Sequence, residues 1–379
     1  MKSKRIALKA ASFIAAATLS AAMPLSTIGS TFMQSTLTAY AAETSGSLTY
    51  EKYDDHVEII GSDYKATSIE IPASISGLPV TAIGDYAFNG SSLSSVTIPD
   101  TVKTIGKYAF SMSANLKSVT IPESVEFIDL RAFDLCKQLS EVNLPDKMIE
   151  MSARVFDNTP WIDAQRQKND LVIINGNLID GEKAKGDVVI PSDVKYVSAG
   201  AFERNEDITS VVFPSSVTKI NDNVFFYCSN LKSVDAKSCT FIDSMAFAYC
   251  NKLTDLKVSG KMTKIDYMAF SDVTAQATIT VYGTKADWDQ ADKPTDDKFL
   301  NNARYIFDES YVAPPEEIEG DLNADGSFNT ADLILMNKWL LSVPGTELAN
   351  WKAGDFVKDE QLDVYDLVLM RKALIAKGQ

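Results

Sequence analysis

Asp321, Asn323, Asp325, Asn329 and Asp332 place oxygen-bearing side chains at positions 1, 3, 5, 9 and 12 of a twelve-residue stretch, with the Ser327 carbonyl at position 7. A calcium ion takes six to eight hard oxygen ligands on a flexible loop, and this spacing wraps them around one ion. Gly326 at position 6 suits the sharp turn such a loop requires. Phe328 at position 8 is expected to point into a core. Thirty-four residues later Asp355, Asp359, Asp363 and Asp366 recur at positions 1, 5, 9 and 12, with the Gln361 carbonyl at position 7 and Leu362 at position 8. One such match could be a plain acidic turn, but a second at a fixed offset points to paired sites. The second copy is degenerate: Val357 cannot ligate at position 3, and Glu360 replaces the turn glycine. Two calcium sites are therefore expected, the second weaker or completed by water.

Other chemistry is sparse. The chain has a single histidine, His56, and no Gly-x-Ser-x-Gly elbow or zinc-type His cluster. A pair of carboxylates set for glycoside hydrolysis is not recognisable from sequence, and no enzyme is expected. Lys2, Lys4, Arg5 and Lys9 precede an apolar, Ala-rich run, and Ala39-Tyr40-Ala41 comes before the first acidic residue, Glu43. That order predicts a secretory signal peptide over residues 1–41, with Pro24 interrupting the run before it could span a bilayer. The remaining chain carries 32 basic against 51 acidic residues, a net charge of −19. A surface this acidic repels nucleic-acid phosphates and anionic lipid, and suits divalent cations.

Most of the chain is periodic. Phe88, Phe110, Phe133, Phe156, Phe202, Phe225, Phe247 and Phe270 are 22 or 23 residues apart, with one gap of 46. Pro99, Pro122, Pro145, Pro191 and Pro214 keep the same beat. A fixed period of this length signals a solenoid. In one unit Val119 and Ile121 alternate with Ser118 and Thr120 as in a short half-buried strand, and Pro122 ends it for want of an N–H. Val125, Ile128, Ala132 and Phe133 should point inward, the rings stacking into a continuous spine. Cys136, Cys228 and Cys250 each lie three residues after a repeat Phe, and Cys239 takes a slot that other units fill with Val. These are core slots, where a free Cys behaves as a small hydrophobe; a Cys228–Cys250 bridge between adjacent coils is the less favoured alternative.

The Ile-Pro-x-x-Val-x-x-Ile…Ala-Phe motif resembles the BspA-like branch of leucine-rich repeats over residues 48–285. Residues 158–186 depart from it: two apolar runs flank an Asn-Gly turn signal, so either a degenerate coil or a projecting hairpin is expected. Ala275 to Phe307 loses the beat and reads as a cap. After an acidic, Pro-containing linker over 308–319, residues 320–375 resemble a type I-like dockerin: each loop runs into an apolar helix, with no convincing helix in front. The expected fold is thus an α/β repeat solenoid, short strands lining one face (42–307), followed by a small all-α domain of two calcium loop–helix repeats (320–379).

The dockerin resemblance implies a cohesin module of a scaffoldin as partner, in a cellulosome-like assembly outside the cell. It puts recognition on Thr330, Ala331, Asn337 and Lys338 in the first half, and on Val364, Tyr365, Arg371 and Lys372 in the second. The halves differ in character, which favours one dominant binding orientation. For the array, the outward strand positions Thr97, Thr120, Asn143, Val189, Val212, Asp235 and Lys257 form a strip without aromatic rings. Recognition of a protein is the first reading for such a surface. Glycan binding near Tyr86, Tyr108, Tyr249, Tyr267 or Trp161 is the alternative.

Overall fold

A computed structural model describes residues 43–63, 65–311, 318–357 and 361–377. The expected signal peptide, the middle of the linker (312–317) and Asp359 with Glu360 lie outside the described residues.

One coil shows how the sequence makes the array. Leu116, Val119, Ile121, Val125, Ile128, Ala132, Phe133, Cys136 and Leu139 are all buried, so every apolar slot of the period is used. The strand Ser118–Thr120 pairs in parallel with Glu141–Asn143 of the next coil. The Val125 N–H closes a turn on the Pro122 carbonyl at 3.1 Å. A second, two-residue strand, Phe127–Ile128, then pairs in parallel with Thr104–Ile105 behind it and Glu150–Met151 ahead. This second ladder is absent from the expectation of strands on one face.

Around a repeat Phe such as Phe110, Phe133 or Phe247 the backbone does something the residue types do not announce. The residues two before and two after it adopt left-handed conformations: Tyr108 and Met112 (φ 54° and 61°) about Phe110, Arg131 and Leu135 (52° and 61°) about Phe133, Met245 and Tyr249 (50° and 63°) about Phe247. Such a conformation costs a non-glycine residue roughly 1–2 kcal/mol. It turns three alternate N–H groups toward the next coil: Tyr108, Phe110 and Met112 donate to the carbonyls of Leu130, Ala132 and Asp134 at 2.9, 2.7 and 2.8 Å. Those bonds, at about 0.5–1.5 kcal/mol each, and the ring stacking they permit offset the strain.

The rings do not form one continuous spine. Phe88, Phe110, Phe133 and Phe156 stack at 5.0–5.4 Å and end on Trp161. Phe202, Phe225, Phe247 and Phe270 stack at 5.3 Å and end on Phe299. In the gap, Gly181 takes the missing Phe's place: its N–H donates to Ala201 O at 2.7 Å, as repeat Phe N–H groups do to the Ala of the following coil. A Cβ there would lie 2.3 Å from the Phe202 ring, so the ring needs a glycine beside it.

The irregular segment between the stacks is a helix and a hairpin. Thr159 caps the helix Pro160–Arg166, accepting from Ile162 N, and Trp161 and Ile162 are buried. Val172–Ile174 pairs antiparallel with Asn177–Asp180 around Asn175 and Gly176, both at positive φ. The second hairpin strand also pairs in parallel with Tyr196–Val197, so the hairpin replaces a coil rather than projecting from the array. Arg166 ties the pieces together, reaching Asp157 at 2.9 Å, Asp180 at 2.6 Å and Glu182 at 2.9 Å.

At the C-terminal end Thr278–Tyr282 and Arg304–Phe307 extend the first ladder by two parallel strands. Trp288, Phe299 and Leu300 from two short helices close the core. The segment expected only to cap therefore continues the sheet as well. Beyond it, the helices Thr330–Leu340 and Val364–Ala376 enclose a separate core of Leu322, Phe328, Met336, Leu367, Met370 and Leu374. Phe328 faces inward as expected. No described helix is long and apolar enough to cross a membrane.

The cysteines are free and buried. They are more than small hydrophobes: Cys136, Cys228 and Cys250 donate to the carbonyls of Phe110, Phe202 and Phe225 in the preceding coil at 3.1, 3.0 and 3.0 Å. Ser113 Oγ fills the same slot, donating to Phe88 O at 2.8 Å. Burial pushes the Cys136 and Cys250 thiols up to about 12, keeping them protonated donors. Four thiols should react per denatured, unreduced chain, and none in the native state at neutral pH; a count of two would mean a bridge. Replacing Arg166 by Met should cost about 3–5 kcal/mol in denaturant unfolding, because Asp157 and Asp180 lose their partly buried cation. A loss below about 1 kcal/mol would show that the cluster is not what holds the insertion.

Candidate functional site

The first loop is organised by two buried carboxylates. Asp332 Oδ1 accepts from the Leu322 and Asn323 N–H groups at 3.0 and 3.3 Å, and its Oδ2 accepts from Asn329 N at 2.9 Å. Asp321 accepts from Asp325 N at 3.1 Å and Gly326 N at 2.8 Å. Gly326 sits at φ 86°, and a Cβ there would touch nothing, so its requirement is conformational alone. Asp325 accepts from Ser327 N and from the Asn323 side chain, and Asn329 Nδ2 donates to the Ser327 carbonyl at 3.3 Å. Asn329 also caps the following helix by accepting from Ala331 N.

The second loop repeats these bonds 34 residues on. Asp366 accepts from Val357 N and Asp363 N, both at 2.9 Å, as Asp332 does from Asn323 and Asn329. Asp363 accepts from Tyr365 N at 2.7 Å, matching Asn329 and Ala331. Both helices open on a reciprocal capping box. Asp355 is buried like Asp321, Gln361 is exposed, and the Val357 side chain is 43% exposed. The backbone of position 3 thus keeps its structural bond while its side chain offers no ligand.

The donor set suits a hard divalent cation: every candidate ligand is oxygen, and Asp321, Asp332 and Asp366 are buried with no cationic side chain paired to them among the described residues. Asp321, Asp325 and Asp332 do not by themselves bring three carboxylate oxygens within 4.8 Å of one another. Among the described residues, the trio of carboxylates with oxygens all within 4.8 Å of one another is Asp157, Asp180 and Glu182, and that trio surrounds Arg166. Asp321 accepts one N–H bond on each oxygen, which leaves lone pairs on both for an ion.

Of the positions expected to meet a partner, Thr330, Ala331, Lys338, Val364, Tyr365, Arg371 and Lys372 are exposed. Asn337 is half-buried and donates to Leu333 O at 2.7 Å. Among the exposed apolar residues that sequence reasoning missed are two pairs, Ile334 with Val368 and Leu341 with Ile375, Leu341 being the cap residue just past the first helix. They too are 34 apart. The signal was present in helices apolar on all sides, more than the small core can absorb.

On the array, Thr97, Thr120, Asn143, Val189 and Val212 are exposed, while Asp235 and Lys257 are half-buried. The strip is split between three separate ladders: Ser68–Glu70 with Ser95–Thr97, Ser118–Thr120 with Glu141–Asn143, and six strands beginning at Gly186–Val189. The tyrosines near the turns are largely occupied with one another. Tyr86 stacks on Tyr108 at 5.1 Å, and Tyr227 on Tyr249 at 4.3 Å with Arg204 over the Tyr227 ring. Tyr267 is exposed, and Trp161 is buried against Phe156. His56 stacks on Tyr53 and meets Asp55 at 2.6 Å in the N-terminal cap, with no nucleophile arranged beside it among the described contacts.

A family model described as BspA type leucine rich repeat region matches in six copies, over residues 61–184 and 180–289. The C-terminal loop–helix pair lies outside that match. Among curated proteins none matches the chain. Three similar solved structures are leucine-rich repeat proteins. One from T. pallidum is 23% identical, covering 55% of this chain and 88% of that one at a TM-score of 0.33. One from Bacteroides capillosus is 29% identical, over 32% and 94% at 0.30. A leucine rich cell surface protein from Faecalibacterium prausnitzii is 23% identical, over 67% and 98% at 0.30. With the repeat model matched across more than half of its length, the chain belongs to the BspA-type leucine-rich repeat family.

Proposed function

We propose that this is a non-catalytic extracellular protein in which the C-terminal loop–helix pair binds calcium and docks on a cohesin module of a scaffoldin, while the repeat array recognises a protein target. The observation that carries the docking reading is the internal symmetry of residues 320–375. Asp332 and Asp366 sit at the same loop position, hold the corresponding backbone N–H groups and each open a helix through a capping box. The resemblance to a type I-like dockerin rests on the same residues. The array reading is supported by membership in a repeat family whose rigid surface suits macromolecular recognition. The extracellular reading draws on the signal-like N-terminus and on the cell-surface description of the F. prausnitzii protein.

In the first loop Asp321, Asn323, Asp325, Asn329, Asp332 and the Ser327 carbonyl would hold the ion. In the second, Asp355, Asp359, Asp363, Asp366 and the Gln361 carbonyl would do so. Bound calcium would supply a cross-link between the start of each loop and the first turn of its helix. The chain's own contribution is already in place, since the position-12 carboxylates join those two points through N–H bonds. Titration of the full chain with calcium should give one tight and one weaker site. Asp321→Ala should abolish the tight site, and Val357→Asp should tighten the weak one roughly tenfold, about 1.4 kcal/mol. Two equal sites in the unmodified chain would contradict the assignment.

The two helix faces are unlike. The second offers Val364, Tyr365, Val368 and Arg371, an apolar and aromatic set beside a cation; the first has Thr330 and Ala331 in the corresponding leading positions. Exposed aromatic and Arg residues dominate binding energies at interfaces. Tyr365→Ala should therefore weaken cohesin binding by tenfold or more, and Thr330→Ala by less than about threefold. Equal losses would sink the idea of one dominant orientation.

A further inference from the structure

We propose that the exposed sheet face at the C-terminal end of the array holds a subsite for a neutral saccharide, built from Asp235, Lys237, Lys257, Tyr282 and Tyr311. Asp235 stands in the middle of the six-stranded ladder, in register with Val212 on one side and Lys257 on the other. Its Oδ2 lies 3.8 Å from Lys237 Nζ and 3.7 Å from Lys257 Nζ, beyond hydrogen-bond length. Its Oδ1 is buried and has no hydrogen-bond partner among the described residues. A carboxylate oxygen in that state marks an interaction still to be made. Tyr282 and Tyr311 meet at 4.6 Å with their planes tilted by 54°, and Lys237 Nζ sits 5.7 and 5.6 Å from the two ring centroids.

The charges select the ligand class. An anion drawn by the lysines would meet Asp235, and a cation drawn by Asp235 would meet two ammonium groups. A neutral polyol satisfies both, because each hydroxyl can donate to the carboxylate and accept from an ammonium. The lysine side chains are each more than a third exposed, so they can swing aside and open the path to Asp235. The tyrosine rings add an apolar wall for the C–H face of a sugar ring. This site uses no residue of the calcium loops and does not depend on the docking reading.

The test is affinity electrophoresis of the full chain through gels containing a β-glucan, a xylan, a mannan or, as the anionic control, a polyuronate. At least one neutral polysaccharide should retard the protein, and Asp235→Asn and Lys257→Met should each weaken that retardation tenfold or more. Thr120→Ala, on the same face of another ladder, should leave it unchanged. Melting temperatures of the variants separate lost binding from lost folding, and the two substitutions fail independently if either perturbs the sheet. The proposal is overturned if no neutral polysaccharide retards the chain. It is equally overturned if retardation survives both substitutions, or if only the polyuronate binds.

Discussion

The array depends on how each coil hands its backbone to the next at the repeat phenylalanine. Left-handed residues on either side of the ring rotate three alternate N–H groups outward, and the carbonyls of the following coil receive them. The ring between them is then fixed face to face with its neighbours. Three residues further on, a buried Ser or Cys donates to a carbonyl of the coil behind. Each turn is thereby bonded in both directions, which is why residues as bulky as Tyr, Leu and Met can be held where glycine is favoured.

The same constraint explains the break in the middle. A coil that lacks the phenylalanine cannot continue the ring column, and Gly181 keeps the backbone bond while leaving room for Phe202. Trp161 closes the stack before it. The helix and hairpin of the insertion are joined across the gap by charge, through Arg166, where apolar stacking is interrupted. Asp180 is pushed up by burial against the pull of that Arg, a sign that the cluster sits in a partly dehydrated setting. Two stacked halves with a polar joint give one array whose outward strand positions fall on three separate ladders, so its surface is better read as distinct regions than as one strip.

The periodic Phe and Pro residues, together with inward Val125, Ile128 and Ala132, made the coil legible, because burial at a fixed period leaves a compositional trace. The two loop–helix repeats were legible in a similar way, since Asp321, Asp332, Asp355 and Asp366 recur at a fixed offset of 34 residues. What the sequence did not disclose was set by backbone or by distance. Tyr108, Arg131 and Met245 carry no sign of a left-handed conformation. The two-residue strands such as Phe127–Ile128 are too short to show alternation. Cys136 reads as a hydrophobe until a carbonyl from another coil is seen beneath its sulfur. Asp235 and Lys257 meet only because two strands lie side by side, and Arg166 finds Asp180 only once the hairpin is formed.

On the proposed function the repeat array recognises a target and the loop–helix pair attaches the chain, and the attachment is the more open to test. Calorimetric titration of the full chain against a panel of cohesin modules, in calcium and then in EDTA, addresses it directly. The account predicts tight binding to at least one cohesin in calcium and none in EDTA, with Asp332→Ala behaving in calcium as the unmodified chain does in EDTA. Calcium uptake without binding to any cohesin, or binding that persists in EDTA, would contradict it.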